Sequence, residues 1–480
     1  MVRARTRHVA AGATAVGLAL AAVVVATTGP WDASGQRKAE ADRAAVQVAW
    51  GGADHGGAPG TRPGAPPAAP SAPAVLAAPG ARVPGPTPGA LAEVLDPLLR
   101  DPALGTHRTA AVVDAATGKR LYGRSAGDAL TPASTTKLAT AVAALSAAGP
   151  DHRIATRTVL DKAARKLVLV GGGDPTLTAR QKNPYGAASL RTLADKTAAS
   201  LKAAGTTEIT LTYDTSLYSG PTTHPIGPNE NLAQVTALMA DEARTDDSTS
   251  GPATRAADPA ASAAHTFADL LRERGVRTKG GDPRAAKAPA GAEDVAKVES
   301  PPLSALVERM LTHSDNDIAE ALARQAAIAA HEDHSFAGAG KAIRKQLDKL
   351  GLPLAGTRFA DGSGLDRADK VSANLLTGLL AKAAEPRRPA LRSVLTGLPV
   401  AGFTGTLSSR YDDAADASGT GLVRAKTGTL TGVNTLAGTV VDADGRLLVF
   451  AFLTQNAPGP QSAQAGLDRL ASTLANCGCR

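Results

Sequence analysis

Pro132-Ala133-Ser134-Thr135-Thr136-Lys137-Leu138 is the stretch on which the fold turns. Ser134 and Lys137 stand three apart, and Leu138 to Ala148 is mostly Ala, Val and Leu with no Gly or Pro. The pattern predicts a helix beginning near Ser134, with Pro132 as its start signal. Positions i and i+3 of a helix share a face, so the serine hydroxyl and the lysine amine lie side by side. A serine is a weak nucleophile until a neighbouring base takes its proton, and a desolvated lysine can be that base. Alone, the pair is better described as a serine N-cap followed one turn later by a solvated lysine. The decision rests on what the rest of the chain brings to it.

Two later stretches supply polar groups at structural junctions. Leu303 to Thr312 has helical apolar spacing and leads into His313-Ser314-Asp315-Asn316-Asp317-Ile318. Asn316 or Asp317 is expected to cap a helix from Ile318 to about Ala330, which leaves Ser314 and Asn316 on the turn between two helices. A hydroxyl and a carboxamide projecting from such a turn can wall a polar cleft, and plain capping is the competing account. Ser372-Ala373-Asn374 repeats the spacing, but Ser372 there reads as the N-cap of a helix to about Ala384. Arg424-Ala425-Lys426-Thr427-Gly428-Thr429 precedes a hairpin, Asn434 to Val441 and Leu447 to Leu453, closed by Asp442-Ala443-Asp444-Gly445. On an edge strand Lys426 offers a cation, Thr427 and Thr429 offer hydroxyls, and Gly428 leaves room for close approach. An ordinary exposed strand with one lysine is the bland alternative.

Ser134-Thr135-Thr136-Lys137, Ser314-Asp315-Asn316 and Lys426-Thr427-Gly428, in that order, resemble the Ser-x-x-Lys, Ser-x-Asn and Lys-Thr-Gly triplet of penicillin-binding proteins and serine β-lactamases. Within that group the chain looks most like the class C, low-molecular-mass D-alanyl-D-alanine carboxypeptidase/endopeptidases, peptidase family S13. Ser314 follows Ser134 by 180 positions, which is long for a β-lactamase lobe and suits the extra domain of this family. Gly171-Gly172-Gly173-Asp174-Pro175, the run from Asp214 to Pro221, and Asp361-Gly362-Ser363-Gly364-Leu365 resemble further family segments. The likeness runs from about residue 90 to the end, with an insert that is short and lacks the tryptophans often found after Gly220-Pro221.

The resemblance implies an α+β fold of the penicillin-binding-protein and serine β-lactamase type, an antiparallel sheet flanked by helices. It implies a discontinuous catalytic domain, 91–150 plus 300–480, with a smaller α+β domain inserted at 151–299. By resemblance Ser134 attacks the carbonyl between two D-alanines and forms an acyl-enzyme, while Lys137 takes its proton. Ser314 relays a proton to the leaving amine, and Asn316 holds Lys137 and the substrate amide. Lys426 adds positive charge near the substrate carboxylate, and Thr427, Gly428 and Thr429 bind substrate. The oxyanion is expected between the N–H groups of Ser134 and Thr429. Peptidoglycan peptides are the implied substrate, β-lactams the implied covalent inhibitors, and neither metal nor cofactor is implied. A free lysine titrates near about 10.4, so desolvation together with the Lys426 charge is expected to lower Lys137. No glutamate stands out as a deacylating base, so β-lactams are expected to leave slowly.

The remaining sequence bounds this reading. At 480 residues with 43% hydrophobic and 3% aromatic side chains, the chain can build aliphatic, alanine-rich cores. A net charge of +8, scattered among acidic residues and without a nucleic-acid motif, argues against nucleic acid as a partner. Arg3, Arg5 and Arg7 precede an apolar run from Val9 to about Thr27, so residues 1–30 read as an export signal, cleaved or kept as a membrane anchor. The run approaches the roughly 20 residues that span a bilayer. Ala, Pro and Gly dominate most of 31–90, which reads as a disordered spacer. Gly171 to Asp174 lacks the Gly-Lys-Ser/Thr of a phosphate loop and reads as a turn, and 241–257 reads as an exposed loop. Cys477 and Cys479 are too few and too close for a structural metal site. A β-lactamase or esterase on the same triad, or a wall-binding protein with a decayed site, are the competing functions.

Overall fold

The computed structural model describes residues 85–183 and 186–478; the expected export signal and most of the expected spacer lie outside the described residues. The folded chain starts with α1 (Pro88–Leu99), where the Thr87 hydroxyl accepts the Ala90 N–H and proline occupies the first turn. This is slightly earlier than the Leu91 boundary expected from composition. Strands β1 (His107–Asp114), β2 (Arg120–Arg124) and β3 (Ala129–Leu130) follow, and then α2 (Thr136–Ala148). A single 3₁₀ turn, Ala133–Thr135, carries Ser134 into α2.

The chain next builds β4 (Ala155–Asp161), β5 (Lys166–Val170), α3 (Leu190–Ala203), β6 (Glu208–Asp214), α4 (Pro259–Glu273), β7 (Arg277–Ala285) and β8 (Glu293–Glu299). It continues with α5 (Leu303–His313), α6 (Asn316–Ala330), α7 (Phe336–Lys349), β9 (Val371–Ser372), α8 (Ala373–Ala384) and α9 (Arg392–Thr396). The last elements are β10 (Arg424–Leu430), β11 (Val433–Val441), β12 (Leu447–Gln455) and α10 (Pro460–Ala475).

The main sheet has the order β10-β11-β12-β1-β2 with every pair antiparallel, so strands from both ends of the chain close one sheet. Both its faces are buried, which is why β12 reads as an unbroken apolar run. Val449, Ala451 and Leu453 face a core shared with α2, α5, α6 and α8, while Leu448, Phe450 and Phe452 face one shared with α1 and α10. The alternation is the period-2 rule of a strand, satisfied once on each side. β10 is an edge strand, as its sequence suggested.

Residues 155–299 form a second sheet, β7-β6-β5-β4-β8, with its own core around Phe267, Leu167 and Leu193. Its β5-α3-β6 and β6-α4-β7 crossovers make two parallel pairs, since a parallel return needs a helix-length connection. The chain bends at Gly173, and the turn itself lies at Pro175-Thr176, just past the Gly171–Asp174 run expected to form it. Gly173 has φ +93°, and a Cβ on Gly172 would lie 2.0 Å from the Ala155 carbonyl oxygen, so only glycine fits.

The 241–257 segment is the loop that its Asp, Thr and Ser content predicts, exposed over most of 245–252, but Glu242 near its start is 2% exposed. Its carboxylate takes Arg244 at 2.8 Å and Arg309 of α5 at 3.1 Å, and this pairing lets one acidic side chain of the loop be buried. Cys477 is buried and disulfide-bonded, while Cys479 lies outside the described residues.

Candidate active site

Three segments converge at the end of α2. Ser134 is half-buried on its 3₁₀ turn, and Ala133 before it has φ +49°, a left-handed conformation that costs energy in a non-glycine residue. The turn is held from several sides. The Pro132 carbonyl accepts the hydroxyls of Thr135 at 2.7 Å and Thr435 of β11 at 2.8 Å. A Cβ on Gly364 (φ +84°) would lie 1.9 Å from the Ala133 carbonyl oxygen.

Lys137, fully buried one turn on, has three acceptors: Ser134 Oγ at 2.9 Å, Asn316 Oδ1 at 2.7 Å and the Ser363 carbonyl at 2.7 Å. A neutral amine has two hydrogens and one lone pair. With the hydrogens on Asn316 and Ser363, the lone pair faces the Ser134 hydroxyl. Burial pushes the Lys137 amine down to about 8, against the upward pull of Asp361, Asp315, Glu320 and Asp369. Burial, not Lys426, therefore carries the shift expected at Lys137.

Ser314 and Asn316 sit on the α5–α6 turn. Ser314 caps α5 in a left-handed conformation (φ 56°, ψ 37°) that turns the chain sharply. The N-cap of α6 is Asp315, whose carboxylate accepts the Ile318 N–H at 2.9 Å, and not Asn316 or Asp317. This frees Asn316 to donate Nδ2 to the Asn231 carbonyl at 2.9 Å while its Oδ1 faces Lys137. Asp317 instead points away, accepting Ala233 N–H at 3.0 Å and pairing with Arg255 at 2.9 Å; burial pushes it up to about 7.

Lys426 of β10 donates to Ser314 Oγ and to the Thr427 carbonyl, each at 2.8 Å. It is fully buried and not the projecting cation the strand pattern suggested, and burial together with the Lys137 charge lowers it strongly. Thr427 is half-buried and Thr429 exposed along the same edge. Gly428 permits a close approach, but by the protein itself: a Cβ there would lie 2.2 Å from Thr435 Oγ1 and 2.7 Å from the Pro132 carbonyl oxygen. The glycine thus seats β10 against the nucleophile turn.

Hydrogen bonds join Ser134, Lys137 and Asn316 in one set and Ser314 and Lys426 in another, the two lysines close enough that the Lys137 charge lowers Lys426; Thr427, Gly428 and Thr429 follow Lys426 on the same strand. Sequence reasoning missed the Ser363 carbonyl, although the Asp361–Leu365 run was singled out, and Glu320, which accepts the Gly362 and Ser363 N–H groups at 3.0 and 2.9 Å. It also missed Thr406, whose hydroxyl lies 2.8 Å from that of Thr427, and Gln464, which donates to Thr429 Oγ1 at 3.2 Å. No local pattern marks the last two.

The chain matches the D-Ala-D-Ala carboxypeptidase 3 (S13) family over residues 91–250 and 232–476. It is 37% identical over 409 residues to a carboxypeptidase of Mycobacterium tuberculosis, covering 82% of this chain and 85% of the relative. It is 32% identical over 475 residues to the D-alanyl-D-alanine carboxypeptidase of an Actinomadura species, with 81% and 84% covered. Penicillin binding protein 4 of Haemophilus influenzae shares the fold, with a TM-score of 0.64 at 21% identity over 80% of this chain and 97% of that one. The triplet, its convergence around Lys137 and the extent of these likenesses lead to one assignment: the chain belongs to the S13 family of D-Ala-D-Ala carboxypeptidases.

Proposed function

We propose that the chain is a serine-type D-alanyl-D-alanine carboxypeptidase/endopeptidase of the penicillin-binding kind, acting on peptidoglycan stem peptides with Ser134 as nucleophile and Lys137 as base. The observation that carries this is the Lys137 amine, buried and bonded to both Ser134 Oγ and Asn316 Oδ1. In the first half-reaction Ser134 Oγ bonds to the carbonyl carbon and its proton passes to Lys137 Nζ. Collapse of the tetrahedral adduct breaks the C–N bond, and the nitrogen leaves as the amine with a proton relayed through Ser314. Water then attacks the ester, the acid departs, and Ser134 Oγ regains a proton.

Lys426 keeps Ser314 in place, and a docking substrate carboxylate draws its amine back to the charged form, with Thr427 and Thr429 as hydrogen-bond donors. The N–H groups of Ser134 and Thr429 are the proposed oxyanion donors, a contribution of about 3 kcal/mol per donor in other enzymes. β-Lactams enter the same path and acylate Ser134. Residues 91–150 and 300–480 form the catalytic domain in this reading, with 151–299 inserted as a second domain. Action on the wall places the protein outside the cytoplasm, delivered by its basic and apolar N-terminal segment. None of the helices among the described residues is long and apolar enough to cross a membrane.

Digestion of purified peptidoglycan with mass analysis of the products tests the activity. Released D-alanine supports the carboxypeptidase reading and cut cross-links the endopeptidase one; neither product overturns both. Fluorescent penicillin that labels the wild type and not Ser134→Ala identifies the nucleophile.

A further inference from the structure

A histidine that the mechanism does not use lies buried behind the lysine base. His224 belongs to the long connection between β6 and α4, and its side chain is 2% exposed against an Asp361 that is 0% exposed. Its two ring nitrogens are distinguished by their partners. Nδ1 accepts the Ile226 N–H at 3.3 Å, so the hydrogen resides on Nε2 and is donated to Asp361 Oδ2 at 3.0 Å. The ring stands edge-on to Phe336, centroids 5.1 Å apart at 89°, and the Arg324 guanidinium covers Phe336 itself at 4.1 Å. The charged groups around the ring are Asp361, Asp366, Glu320 and Arg324.

Asp361 organises the turn that ends at the base. Besides His224 it accepts the Gly364 N–H at 2.6 Å, the Asp366 N–H at 2.7 Å and the Ser363 hydroxyl at 3.2 Å. The Ser363 N–H is held by Glu320 at 2.9 Å, and the Ser363 carbonyl is left aimed at Lys137 Nζ, 2.7 Å away. That carbonyl is one of the two acceptors that leave the lysine lone pair on Ser134.

We propose that His224 is a positioning residue for the Lys137 base: its Nε2–H anchors Asp361, and through Asp361 fixes the Ser363 carbonyl that orients the amine. The connection between β6 and α4 is thereby coupled to proton transfer at Ser134 without touching substrate. The inference rests on Lys137 being the base. A misplacement of about 1 Å in a catalytic constellation can cost about 10²-fold in rate, so an anchor of this kind has a readable effect.

The test is rapid-mixing acylation of the full chain by fluorescent penicillin, which separates the acylation rate constant from the affinity of the prior complex. His224→Gln returns an N–H donor to the position of Nε2, whereas His224→Asn stops at the position of Nδ1 and cannot reach Asp361. The expected result is acylation slowed about tenfold or more in His224→Asn with affinity unchanged, and a rate within about threefold of wild type in His224→Gln. Wild-type acylation in His224→Asn, or a His224→Gln as slow as His224→Asn, overturns the proposal. Lys137→Met tests the underlying reading separately: acylation at the wild-type rate in that variant removes the base, whatever the His224 variants do.

Discussion

Lys137 and Lys426 are two fully buried lysines joined to neighbouring serines by hydrogen bonds of 2.9 and 2.8 Å, yet their surroundings differ. Lys137 lies among Asp361, Asp315, Glu320 and Asp369, whose negative charge opposes desolvation and leaves it near 8. Lys426 has burial and the Lys137 charge acting on it, both downward. The comparison teaches that burial alone does not tune a base. Carboxylates set back from the amine bring it into the range where it is neutral often enough to accept a proton and basic enough to keep it.

The largest expected effect tests that division of labour. Lys137→Met removes the proton acceptor and should slow penicillin acylation by about 10³-fold or more, in the range of a lost general base. Lys426→Met should cost less, about 10²-fold, and should weaken substrates that bear a carboxylate more than those that lack it. Pre-steady-state labelling measures both, and equal losses would erase the distinction between the two sites.

Next in size is the seating of β10 on the nucleophile turn. Gly428→Ala brings a methyl into contact with Thr435 Oγ1 and the Pro132 carbonyl, both part of the framework under Ser134. Overpacking of this kind costs about 1–3 kcal/mol, read as a lower thermal midpoint, and acylation should fall by about tenfold as the strand backs away. A variant with wild-type stability and rate would show that the strand and turn are not in contact in solution.

The carboxylates themselves can be separated by pH. Lys137 must be neutral to accept the Ser134 proton, so acylation should rise with pH and level off above about 8. Asp361 draws the lysine upward, so Asp361→Asn should move the rising limb to lower pH even if the plateau falls. Asp369 is pushed well up by burial and by the Asp361 charge, and its pull on Lys137 is the weakest of the four carboxylates, so Asp369→Asn should move the limb less than Asp361→Asn. A limb that moves with Asp369 and not Asp361 would reverse this assignment.

Much of this geometry was legible because its signals are local. Ser134 and Lys137 are brought together by helix spacing, Ser372 and the hairpin at Asp442 to Gly445 by capping and turn chemistry, and the main sheet by its apolar runs. What the sequence hid depends on distant contacts. Composition places 241–257 in solvent, which holds for most of 245–252, but nothing local shows that Arg309, 67 positions from Glu242, will pair with that carboxylate and bury it. Lys426 reads as exposed because an edge strand normally is, and nothing local shows that Ser314, 112 positions earlier, will take its amine. His224 carries no motif, and its role emerges from Asp361, 137 positions later.

The smallest expected effects lie on the hydroxyls of β10, where the sequence was least informative. Gln464 of α10 donates to Thr429 Oγ1, which occupies an acceptor position on that oxygen and leaves the Thr429 hydrogen to point elsewhere. The Thr406 and Thr427 hydroxyls are paired at 2.8 Å, with either able to donate. If these partners aim the hydroxyl hydrogens at a substrate carboxylate, Gln464→Leu and Thr406→Val should raise KM for a D-Ala-D-Ala peptide by about two- to fivefold each, near the worth of one neutral hydrogen bond, with kcat unchanged. Thr406→Ser should restore KM, because the hydroxyl and not the methyl is required. A fall in kcat at constant KM would instead place these residues in the proton-transfer step, on the Lys137 side of the comparison.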